Sequence, residues 1–72
     1  MDIKDEIVRR VHLIEQLKEQ KEELWTKAKK RVADNHIDDA IILLNRYFGV
    51  KEQLEGMEAG LESILKGQFS DR

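Results

Sequence analysis

The chain has 72 residues, no cysteine and no proline, and 39% of it is charged with a net charge of −2. That length allows one small domain near the lower limit for a self-sufficient core, and the missing thiols exclude disulfide staples and thiolate metal sites. No apolar run approaches a membrane span and no signal-peptide pattern opens the chain, so the expectation is a soluble, cytoplasmic, all-helical protein.

Residues 2 to 34 hold no helix breaker and mostly strong helix formers, which predicts a first helix over about that range. Its apolar residues Ile3, Ile7, Val11, Ile14, Leu17, Leu24, Trp25, Ala28 and Val32 form a broad stripe, which Arg10 and Lys21 interrupt. The segment "KEQKEE" (18–23) makes a polar waist in this stripe. Trp25 is expected as a core anchor, with partner contact as the alternative. The cluster Lys27, Lys29, Lys30 and Arg31 falls where the helix should end, and there cations offset the negative end of the helix dipole. Nucleic-acid binding is the less favoured reading of this cluster, because no wider basic face accompanies it.

The break comes at "ADNHIDD" (33–39), with a turn expected at about 35–37. Asn35 suits a left-handed residue just past a helix end, and Asp38 suits the cap of the next helix. A second helix is predicted from about 38 to 67, with "GQFSDR" fraying. Along it Ala40, Leu43, Tyr47, Val50, Leu54, Met57, Leu61 and Ile64 alternate steps of three and four without a polar interruption, a coiled-coil seam. The expected fold is therefore all-α: a two-helix antiparallel hairpin, coiled-coil-like, completed by a dimer mate or by partner helices.

The second helix carries apolar surface beyond its seam. Ile37, Ile41, Leu44 and Phe48 form another stripe about 100° round the helix. Either Trp25, Ala28 and Val32 of the first helix wrap round to cover it, or, as favoured here, it is an intermolecular interface. Gly49, Gly56, Gly60 and Gly67 lie on a further strip, roughly opposite the seam, which suits either close approach by another backbone or a deliberately soft helix. The expected partner-binding residues are Ile37, Ile41, Leu44, Phe48, Gly49, Gly56 and Gly60.

No catalytic, cofactor-binding or metal-ligating constellation is present: His12 and His36 stand apart, and the paired carboxylates 22–23 and 38–39 occupy exposed helix positions. The reading is a non-enzymatic chain without cofactor, metal or small-molecule substrate.

The basic "AKKR" before a short polar turn, the two-helix length and the closing "LEGMEAGLESILKG" resemble the small co-chaperones of type III secretion needle subunits, the YscE-like family. That resemblance implies a cytoplasmic helical hairpin which, beside a larger tetratricopeptide-like chaperone, keeps a secreted needle subunit soluble. The alternative function is a self-assembling homodimeric hairpin with a structural or regulatory role in a phage or bacterium.

Overall fold

The computed structural model describes residues 3–69 and contains two α-helices, α1 (Ile3–Ala33) and α2 (Ile37–Phe69), packed antiparallel as a hairpin. Asp2 and residues 70–72, which the sequence reading placed in the first helix and in a fraying end, lie outside the described residues. The helix α1 runs unbroken through the polar waist. The molecule measures 56 × 18 × 14 Å, one helix thick in its narrow direction.

A three-residue turn reverses the chain. Asn35 is left-handed, with φ 65°, and it is the position at which asparagine was expected. The amide of Asn35 donates to the Val32 carbonyl at 3.0 Å, and the amide of His36 donates to the Arg31 carbonyl at 2.8 Å. These two bonds form a Schellman motif and satisfy carbonyls that the helix end would otherwise leave open. Lys30 and Arg31 lie in the last turn of α1, where their charge opposes the dipole.

The next helix starts earlier than expected. The His36 carbonyl accepts from the Ala40 amide at 3.1 Å, so His36 holds the cap position that the sequence assigned to Asp38. The cause is economy of chain: one left-handed residue already reverses direction, so His36 ends one helix motif and begins the next. Asp38 and Asp39 then fall in the first turn, where their charge still favours the helix N-terminus.

The α2 seam packs as its spacing requires. Ala40 and Leu54 are buried, and Leu43, Tyr47, Val50, Met57, Leu61 and Ile64 are half-buried. The facing seam on α1 is Ile7, Arg10, Ile14, Leu17, Lys21, Leu24 and Ala28, a strict alternation of three and four that includes both charged residues. Arg10 and Lys21 therefore belong to the interface; they do not interrupt it. Their aliphatic stems cover apolar surface while the charged heads reach the edge. The Arg10 head is held by Glu6, with Nε to Oε2 at 2.8 Å. Ile3, Val11, Trp25 and Val32, counted in the α1 stripe by the sequence reading, are exposed beside this seam.

The resulting core is thin: Ile14, Ala28, Ala40 and Leu54 are the buried hydrophobic residues, two of them alanines. A single layer of seam contacts leaves much apolar surface on the two broad sides of the hairpin.

Candidate protein-interaction surface

The candidate surface lies at the turn end of one broad side. Near the turn the small seam residues Ala28 and Ala40 are buried between the helices. Trp25, Ala28, Lys29, Val32 and Ala33 of α1 and Leu44 and Phe48 of α2 line an open groove of about 600 Å³. Its walls are almost wholly hydrocarbon, with Lys29 the charged residue among those that line it.

Of the stripe Ile37, Ile41, Leu44 and Phe48, Leu44 and Phe48 line this groove. Leu44 is half-buried, while Ile37, Ile41 and Phe48 remain about half exposed, at 47%, 51% and 52%. The α1 side chains thus flank the stripe without covering it. Val32 is itself 51% exposed, so the wrapping alternative does not describe this hairpin.

Trp25 corrects a second expectation. It is 42% exposed and sits on the rim of the groove; it is not inside the core. One face rests on Tyr47, with ring centroids 5.2 Å apart and planes tilted by 42°. Tyr47 in turn meets Phe48 edge-on at 5.2 Å. The three rings form a continuous aromatic chain from the seam to the surface, and such rings favour tilted and edge contacts. A large, held, half-exposed indole beside an apolar groove has the character of an interface anchor.

The glycines stand elsewhere. On steps of 100° per residue their strip lies about 110° round α2 from the stripe, so the expected partner residues divide between two surfaces. At Gly49, Gly56 and Gly67 an added Cβ would meet nothing within 4 Å. Gly60 is half-buried, and its Cβ position lies 3.8 Å from Arg10 Nη1. That is ordinary contact distance, so Gly60 stands beside a seam arginine of its own hairpin, which corrects its placement opposite the seam.

No family model matches this chain, and neither a curated protein nor a solved structure matches it. The surface must accordingly be read from its own chemistry.

That chemistry is apolar and electrostatically quiet at the turn end. Toward the open end the same broad side carries a second groove, lined by Val11, Ile14, Glu15, Lys18, Glu58, Leu61, Glu62 and Leu65. Lys18 Nζ and Glu58 Oε2 stand 3.7 Å apart across it, both well exposed, so the pair adds little to stability. Among the described residues no group of three or more His, Cys, Asp or Glu could hold a metal ion. Among the same residues no helix is long and apolar enough to cross a membrane.

Proposed function

We propose that this chain is a non-enzymatic protein-interaction module whose client or partner docks on the groove between Trp25, Val32, Leu44 and Phe48. One observation carries the reading. In a hairpin with so thin a core, Trp25, Val32 and Phe48 stand about half exposed around one apolar groove, and the exposed Ile37 and Ile41 continue the Leu44 and Phe48 stripe on the same side of α2. Contiguous apolar patches rimmed by polar residues are the physical signature of docking surfaces, and an amphipathic helix laid along the groove is the natural occupant.

The YscE-like pattern of the sequence gives this module a specific role, that of a cytoplasmic co-chaperone. Together with a tetratricopeptide-like chaperone, it would keep a type III secretion needle subunit soluble by covering the helix through which that subunit polymerises. The mechanism is passive: apolar surface on client and module is buried mutually, and no bond is made or broken.

Co-expression tests the proposal. With a needle subunit and its tetratricopeptide-type chaperone, the wild-type hairpin should hold the subunit in the soluble fraction as a stoichiometric complex. Ile41→Asp and Phe48→Asp should release it while their far-UV circular dichroism stays helical, since both positions are half exposed. A complex indifferent to both substitutions refutes the proposed surface, and a needle subunit that stays soluble without the hairpin refutes the role.

A further inference from the structure

Resting on the reading of this broad side as an interaction surface, we infer that in the absence of a client it is covered by a second copy of the chain. The two hairpins pack face to face with their turns at the same end, α1 of each lying on α2 of the other. The inference comes from the order of residues along the four columns of that side.

Each column repeats every seven residues, so its members share one face. On α1 one column reads Lys4, Val11, Lys18, Trp25, Val32, and its neighbour Val8, Glu15, Glu22, Lys29. On α2 the columns read Ile37, Leu44, Lys51, Glu58, Leu65 and Ile41, Phe48, Glu55, Glu62. Both helices are thus mainly apolar toward the turn, with Lys29 the exception, charged at the middle, and mixed toward the open end, where Lys4 and Glu62 accompany Val8, Val11 and Leu65.

A twofold axis along the length of the hairpin sets each zone on its like. The Trp25 and Val32 side chains of one copy meet the Ile41 and Phe48 side chains of the other, closing both turn-end grooves. At the middle, Glu22 comes level with Lys51 of the second copy and Lys18 with Glu55 of the second copy, each twice by symmetry. All four side chains are exposed in the single hairpin, and Lys18 would add Glu55 of the second copy to the loose 3.7 Å pairing it makes with Glu58 of its own chain. Adjacent helices in this bundle are all antiparallel, which suits their dipoles. Glu15 is a misfit, since it faces acidic residues of the second copy.

The opposite order, with turns at opposite ends, fails on charge. It lays α1 on α1 and sets Lys18 against Lys18 of the second copy and Glu15 against Glu22 of the second copy. On α2 it puts Leu44 and Phe48 over the acidic run of Glu58 and Glu62. The broad side, 56 Å long and 18 Å wide, offers roughly 1,000 Å² in outline, comparable to what each partner contributes to a stable interface.

The purified full chain tests this by sedimentation and by spin-label distances. It should sediment at twice its 8.5 kDa mass at micromolar concentration. A spin label at Lys30→Cys, on an exposed position near the turn, should report an intermolecular separation of roughly 20–30 Å, whereas turns at opposite ends of helices rising 1.5 Å per residue would give roughly 40 Å or more. Phe48→Glu and, independently, Ile41→Glu should yield helical monomers, and Ile42→Glu on the other broad side should leave the dimer intact. A monomer at every concentration, a higher oligomer, a long label distance, or a dimer indifferent to Phe48→Glu and Ile41→Glu each overturns the inference. A monomer that still loses its needle subunit on Phe48→Asp would sink the dimer and leave the proposed function standing. A dimer on this face whose client complex ignores Phe48→Asp would do the reverse.

Discussion

Gly49→Ala combined with Gly56→Ala should make the protein markedly more stable. Both glycines sit inside α2 with ordinary helical backbone, and neither has a positive φ. An added methyl at either would meet no atom within 4 Å, so it neither clashes nor gains packing. The effect is then the intrinsic helix preference alone, about 1 kcal/mol per site. Seven residues separate the sites, about 10 Å along the helix, and they share no contact, so the gains should add to about 2 kcal/mol. For a chain of this size that corresponds to a melting temperature raised by roughly 8–16 °C. The assay is urea unfolding followed by circular dichroism at one fixed protein concentration, because self-association would otherwise shift the midpoint. The midpoint should rise while the slope stays constant, since the surface exposed on unfolding hardly changes. No gain, or a loss, would refute the reasoning by showing that another backbone lies against this strip in solution.

Asn35→Ala should cost about 1 kcal/mol in the same assay, because alanine resists the left-handed conformation, whereas Asn35→Gly should be neutral or slightly stabilising. His36→Ser should add about 1 kcal/mol, since a hydroxyl at the cap position can accept from an amide of the first turn. Leu54→Ala, at a position only 3% exposed, should lose about 2–3 kcal/mol in the midpoint of urea unfolding, the lower part of the usual range because a two-helix layer can partly collapse into the gap.

The α2 seam and the turn were legible because each carries a local signal. Eight apolar residues in alternating steps admit one packing face, and Asn35 is among the few residue types at ease with a positive φ. The α1 seam was obscured by residue type. Arg10 and Lys21 fall in strict register from Ile7 to Ala28, but a search for apolar residues passes over them and takes Val11, Trp25 and Val32 instead. Register alone, carried across from α2, would have placed all of them correctly. Trp25 was misplaced for a different reason. Its size suggests a core anchor, but Trp25 falls one position past the seam residue Leu24, on the flank of the hairpin, where it packs on Tyr47 and stays 42% exposed. The groove is lined by residues of both helices, so the stripe Ile37, Ile41, Leu44 and Phe48 could be read from spacing while the cavity could not. The distinct setting of Gly60 was likewise hidden, since it depends on where the guanidinium of Arg10 comes to rest.

The tight reversal at residues 34–36 bears on how the molecule forms. Joining the helices through so short a loop makes the first interhelical meeting entropically cheap, and every later meeting adds one heptad to an ordered stretch beside it. Assembly should therefore run like a zipper from the bend outward, quickly, with the open end of the hairpin last to settle. The aromatic groove lies beside the bend, so it should take shape while the far end is still fluctuating, and a newly made chain could engage there before it has finished folding.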